Sequence, residues 1–71
     1  MDIYKIVMHE AGTLNSIIYP RLYWGVTIAR DVAREIKNEG YYDNIEIDSV
    51  TIYRETPEKD GWYHTIHSEK I

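Results

Sequence analysis

The chain has 71 residues, and its 12 acidic and 8 basic side chains give a net charge of −4. This length allows one domain, spanning residues 1–71, and the acidic balance argues against a protein that binds nucleic acid by neutralising phosphates. Without cysteine, the small core cannot be reinforced by disulfides, so a second subunit, forming a homodimer, is the expected reinforcement.

The aromatic residues are unusual, because seven are tyrosine, two are tryptophan and none is phenylalanine. Tyrosine and tryptophan combine an apolar body with a hydrogen-bonding tip, which suits half-wet surfaces and interfaces. We therefore expect part of the aromatic content to contact a partner.

Two strands are predicted at the start of the chain. Apolar residues occupy both sides of the segment Ile3–Met8, which is typical of a central strand covered on both faces. Gly12 marks a turn, and Leu14–Tyr19 predicts a second strand, antiparallel to the first. Pro20 has no N–H, so this strand lies at a sheet edge or ends there.

The segment Arg21–Val26 admits two interpretations. It continues the strand irregularly, or it belongs to a longer helix that starts at Pro20, a residue suited to a first helical turn. Gly25 inside a helix would cost about 1 kcal/mol relative to alanine, which favours the strand.

A helix is predicted over Ile28–Glu39, where apolar residues recur at helical spacing. Thr27 is the expected N-cap, and Gly40 the expected left-handed C-cap. The opposite face is charged, and we interpret it as a solvated surface. Its basic residues are Arg30, Arg34 and Lys37.

The last third of the chain predicts two more strands. Alternation changes phase within Ile45–Arg54, and a β-bulge at Asp48–Ser49 would restore a single buried face. Thr56–Gly61 predicts a hairpin loop, and Trp62–His67 the final strand. On that strand we expect one face to carry Trp62, His64 and Ile66, and the other to carry Tyr63, Thr65 and His67.

These elements predict a two-layer α+β domain in the order ββαββ, with a four-stranded, mainly antiparallel sheet and one helix packed on one face. The other face must be solvated, paired with a second subunit or used for binding. Tyr4, Tyr53 and Tyr63 are the candidate aromatic residues of that face.

No motif for catalysis, metal binding or a cofactor is present, so we expect neither an enzyme nor a cofactor. His64 and His67 are three apart on a strand and point to opposite faces. Glu55, Glu58 and Asp60 cluster around the last hairpin, where they either protect a sheet edge or dock a basic partner. No apolar run approaches the roughly 20 residues that cross a bilayer, and we expect a cytoplasmic protein.

The MDIYKIV opening, the IARDVAREI helix and the VTIYRE…DGWYHTI hairpin resemble small accessory proteins of bacteriophages and prophages, a class in which some anti-CRISPR proteins share this plan. The resemblance implies a non-enzymatic protein that binds and inhibits a host or defence protein. Two alternatives stay open. The first is a nucleotide or small molecule held by tyrosines at a dimer interface, and the second is nucleic acid bound by Arg30, Arg34 and Lys37.

Overall fold

The computed structural model describes residues 1–71 as one helix and five strands. In chain order, the elements are β1 (Ile3–Glu10), β2 (Ser16–Tyr23), α1 (Val26–Glu39), β3 (Tyr41–Tyr42), β4 (Ile45–Pro57) and β5 (Tyr63–Lys70). The α+β class is confirmed, whereas the sheet has five strands in the order ββαβββ. No helix has the length and apolar character needed to cross a membrane.

The additional strand is β3, which pairs antiparallel with the start of β4. Asp43 and Asn44 connect the two strands with φ values of 50° and 65°. Two residues with positive φ match the twist of a tight hairpin, and Asn and Asp tolerate that conformation. Tyr41–Tyr42 therefore starts a short hairpin, which the prediction of four strands missed.

All strand pairs are antiparallel. The strand order is β2-β1-β4, and the far edge of β4 is shared by β3 near its start and β5 along its second half. This order confirms β1 as a central strand and places β2 at an edge, as Pro20 predicts.

Helix α1 begins at Val26, two residues before the predicted start. Thr27 is not the N-cap, because Gly25 holds the extended backbone (φ −120°, ψ 135°) that precedes the first turn, with no side-chain capping bond. The ambiguous segment is thus divided between strand β2 and the helix. Gly40 is confirmed as the C-cap, with φ 76° and its N–H donated to the Ile36 carbonyl.

The core lies between α1 and one face of the sheet. From the helix, it receives Ala29, Ala33 and Ile36. The alanines bring the backbone of α1 close to the sheet, where apolar side chains from β1 and β4 complete the cluster: Ile6, Met8, Ile47, Val50 and Ile52. Side chains on both faces of β1 are buried, as predicted: Ile6 and Met8 lie beneath α1, whereas Ile3 and Val7 are covered on the other face by neighbouring side chains and not by a second element.

Bulges decide which side chains share a face. The predicted bulge in β4 is confirmed, because His9 pairs with Ser49 and Glu10 with Ile47, leaving Asp48 as the extra residue. A second register shift lies in β2, between the pairs Lys5–Leu22 and Val7–Ile18. Pro20 lies in that shift, where its missing N–H disturbs no ladder.

A third bulge lies in β5, where Arg54 pairs with His67 and Glu55 with Thr65. Ile66 is the extra residue, so the residues on either side of it change phase. His67 therefore lies on the helix side, with Arg54, and not on the face of Thr65 as the simple alternation predicted.

Candidate functional site on the uncovered sheet face

The sheet face opposite α1 is a surface that no other element of the chain covers. Successive side chains of a strand point to opposite faces, and paired residues share a face. Starting from the core residues, this rule identifies the side chains on the uncovered face, which we call the open face. The open face consists of Ile3, Lys5, Val7, His9, Ser16, Ile18, Leu22, Ser49, Thr51, Tyr53, Glu55, Pro57, Tyr63, Thr65, Ser68 and Lys70.

The open face is apolar at Ile18 and Leu22 of β2 and at Ile3 and Val7 of β1. Ile18 and Leu22 remain 58% and 50% exposed, whereas Val7, paired with Ile18, is only 8% exposed. Ile3, on the same face of β1, is also buried. The side chains of β1 are thus covered by their neighbours, while those of β2 form an apolar strip in contact with solvent.

The polar part of the open face is internally paired. The Lys5 ammonium lies 3.4 Å from the Glu55 carboxylate and 5.8 Å from the centre of the Tyr53 ring. The Thr65 hydroxyl donates a 2.9 Å hydrogen bond to Glu55. Glu55 has a side chain only 13% exposed, so this predicted binding residue is engaged within the chain.

His9 connects three strands on the same face. Its ring nitrogens lie 3.3 Å from the Thr51 hydroxyl of β4 and 3.2 Å from the Ser16 hydroxyl of β2. These contacts link the polar side chains of β1, β2 and β4, whereas Ile18 and Leu22 are the exposed apolar side chains of the face.

The structure separates the three predicted tyrosines. Tyr53 lies on the open face, and Tyr63 stands at the start of β5, opposite Pro57 and partly exposed. Tyr4 does not belong to the open face, because it shares the phase of Ile6 and Met8 and packs against the core on the helix side.

Most other tyrosines also pack on the helix side. Tyr19, Tyr23 and Tyr42 contact the core there, and the rings of Tyr19 and Tyr42 meet edge to face with centroids 5.7 Å apart. Burial, followed by the charge of Tyr19, raises the pKa of Tyr23. The expected aromatic patch on the open face is therefore reduced to two rings.

The loop of the last hairpin combines acidic side chains with an exposed aromatic ring. Glu58, Asp60 and Trp62 are all exposed, Trp62 by 73%. Asp60 accepts the Trp62 N–H at 2.9 Å and lies 3.4 Å from the His64 ring, while Gly61 supplies the positive φ of the turn. We call Glu58, Asp60 and Trp62 the hairpin tip.

Three residues of the site were missed by the sequence-based prediction. Trp62 beside the Asp60–Gly61 turn could have been found, since a large aromatic residue next to a tight turn has little room to be buried. Ile18 and Leu22 could not, because the face that they occupy is set by pairing with Val7 and Lys5 of β1.

A cavity of about 210 Å³ lies on the helix side, among Tyr4, Val26, Arg30, Ile52, Arg54, His67 and Glu69. Arg30 donates two charge-assisted bonds to Glu69, at 2.9 and 2.8 Å, and these bonds lower the pKa of Glu69 and raise that of Arg30.

Hydrogen bonding from Thr56, then from Arg54, lowers the pKa of Asp2.

The predicted basic stripe on α1 is largely occupied by contacts within the chain. Arg30 pairs with Glu69, Arg34 approaches Asp31 at 3.9 Å, and Lys37 donates to the Ile71 carbonyl. No three His, Asp or Glu side chains converge as metal ligands would. The expectation that His64 and His67 point to opposite faces is wrong, because the bulge at Ile66 places both on the helix side of β5, opposite Thr56 and Arg54.

A scan against protein-family models found no match, and searches of curated proteins and of solved structures found none either. The resemblance to phage accessory proteins stays a prediction, and the function must be inferred from the geometry of these residues.

Proposed function

We propose that this chain is a non-enzymatic binding protein that inhibits or modulates a partner protein through the open face and the hairpin tip. The observation that supports the proposal is the one-sided fold, in which the eight-residue core cluster lies between α1 and one side of the sheet. A rigid sheet surface is thus available to a partner without any rearrangement of the chain, which keeps the entropic cost of binding low.

The apolar strip, Ile18 and Leu22, exposes hydrophobic surface whose burial against a partner would favour binding. Ile18 and Leu22 lie on a strand paired with the central strand β1, so their positions are held by the ladder. Protein interfaces place apolar and aromatic side chains at the centre and polar side chains at the rim. The strip of the open face, bordered by the ordered polar residues of β1 and β4, has this arrangement.

The hairpin tip supplies charge and an aromatic anchor. Glu58 and Asp60 carry negative charge beside Trp62, and exposed tryptophan is a frequent hot spot of binding. Acidic residues at the rim favour a partner with a basic surface and speed its association. A host or defence protein that handles nucleic acid has such a surface, which agrees with the phage or prophage origin that the sequence resemblance implies.

The two alternatives have weaker support. Base stacking on the open face needs an aromatic platform, and most of the tyrosines pack on the other side of the sheet. Phosphate binding by the stripe on α1 needs free cations, and Arg30 is held by Glu69. The protein–protein interaction is the function that the geometry favours.

The proposal is tested by affinity capture from a bacterial host lysate, followed by reconstitution with the purified captured protein. The variant Ile18→Asp with Leu22→Asp places charges on the apolar strip, and we expect at least a tenfold loss of affinity, which corresponds to about 1.4 kcal/mol. Glu58→Lys should weaken binding as well, and more strongly at low salt.

The matched control is Leu14→Asp, because Leu14 is fully exposed in the turn between β1 and β2 and lies outside the open face. It should bind like the unsubstituted chain. Equal binding by the strip variant and the control, with both shown to be folded by circular dichroism, would refute a role for the open face.

A further inference from the structure

Strand β5 leaves its outer edge unprotected. Its backbone contacts β4 and no other element, and seven of its residues are exposed to solvent. The opposite edge of the sheet, β2, contains Pro20 and a register shift that disrupt further pairing. β5 has no proline, and its one bulge, at Ile66, leaves outward-facing backbone groups on both sides of it. The edge at β5 can therefore accept a further strand, whereas the edge at β2 is interrupted by Pro20.

The hydrogen bonds to β4 show which groups of β5 point outwards. Ile71 donates its N–H to the Val50 carbonyl, and Glu58 donates its N–H to the Trp62 carbonyl, both at 2.9 Å. Because bonding direction alternates along an antiparallel ladder, the backbone groups of four residues face away from β4. These residues are Tyr63, Thr65, Ser68 and Lys70.

We propose that a second copy of this chain pairs antiparallel along β5, with His67 on the two-fold axis. Full overlap of the strands then brings Thr65 opposite Ser68 of the second copy, and Tyr63 opposite its Lys70. Ile66 is the extra residue of the bulge and takes no place in the ladder. Thr65 and Ser68 are therefore the first outward-pointing residues on the two sides of His67, and Tyr63 and Lys70 are the second.

A second copy fits this edge because the facing pairs are complementary. Thr65 and Ser68 pair two hydroxyl groups, and Tyr63 and Lys70 pair a ring with a cation. His64 lies opposite Glu69, which pairs an imidazole with a carboxylate. An isologous contact makes each pair twice.

Charge at the strand ends favours the same arrangement. Glu58 and Asp60 precede the first residue of β5, and Lys70 is its last residue. Antiparallel overlap brings the basic end of each strand next to the acidic hairpin tip of the other. Only ten of the 71 residues are buried in one chain, so a domain of this size gains from the additional burial.

The dimer has a consequence for the open face. The two-fold axis of antiparallel strands is perpendicular to the sheet, so both helices lie on one side and both open faces on the other. The two sheets become one continuous surface. This consequence rests on the proposed function, whereas the pairing of β5 does not.

A cysteine crosslink tests the register, because the chain has no cysteine of its own. His67→Cys places two thiols across the axis, at a Cα separation of about 4.5–5.5 Å, which is within the range of a disulfide. We expect a covalent dimer under mild oxidation. His64→Cys is the matched control, because its copies would lie roughly 13 Å apart along the strands.

Sedimentation equilibrium supplies the second measurement. The unsubstituted chain should show twice its 8.4 kDa mass, and Ser68→Pro, which removes an outward N–H and no bond to β4, should shift it to a monomer. A monomer at every concentration, or equal crosslinking of the two cysteine variants, would overturn the proposal. A dimer that captures no partner would refute the proposed function alone.

Discussion

The replacement Ile6→Ala measures how completely α1 covers one face of the sheet. Ile6 has no exposed surface and pairs with Ile52 in the core. Three carbon atoms are removed, with a transfer cost of about 0.8 kcal/mol each, and the remaining cavity adds to it, giving roughly 3–4 kcal/mol. A domain of this length has about 4–10 kcal/mol in total, so between about a third and nearly all of its stability would be lost.

Ile18→Ala is the control, because it makes the same chemical change on the open face. Ile18 is more than half exposed, so its truncation should cost less than about 0.5 kcal/mol. Urea denaturation should be followed by circular dichroism, since Trp24 and Trp62 are both largely exposed and would report weakly on unfolding. The melting temperature of Ile6→Ala should fall by at least about 12 °C.

Similar costs for Ile6→Ala and Ile18→Ala would refute the one-sided fold, because they would mean that the second face is also buried. The comparison should be made at several protein concentrations, since dimerisation makes the apparent stability depend on concentration.

Two further predictions concern stability. Gly40→Ala places a side chain on a backbone with φ 76° and should lower the free energy of unfolding by about 1 kcal/mol. Gly25→Asp adds a capping side chain at the start of α1, where nothing lies within 4 Å of a new Cβ, and should raise the free energy of unfolding by about 0.5 kcal/mol. The urea midpoints of the two variants measure both effects. The folded-state pKa values of Asp2 and Glu69 are lowered from 3.8 and 4.5, so their contribution is present above pH 4.5 and is lost as the pH falls through the folded values. Glu69→Gln should reduce this acid-induced loss, and an unchanged dependence of the urea midpoint on pH would contradict the role of the Arg30–Glu69 pair.

Much of the fold could be predicted from local patterns. The helix, its left-handed end at Gly40 and the bulge at Asp48 follow from periodicity and from the demands of backbone geometry. The short strand Tyr41–Tyr42 was missed, because two residues carry no periodic signal and the Asp43–Asn44 turn was not interpreted as a hairpin.

The candidate site could be predicted only in part. Glu58, Asp60 and Tyr63 were found because a turn with Asp and Gly is a local signal. Tyr4 was assigned to the wrong face, and Glu55 was expected to be available although it is paired with Lys5 and Thr65. Both errors concern contacts between residues about fifty positions apart in the chain.

By itself, the sequence determined the class of the fold, its single helix and the existence of an uncovered sheet face, because these follow from short-range periodicity and from having only one helix to cover two faces. Only the tertiary structure decided which side chains occupy that face. The bulge in β5 changes the phase of that strand, and its position depends on pairing with β4, so His67 acquires its face only when the sheet is assembled. Ile18 and Leu22 keep a single phase, and their pairing with Val7 and Lys5 of β1 decides which face that is.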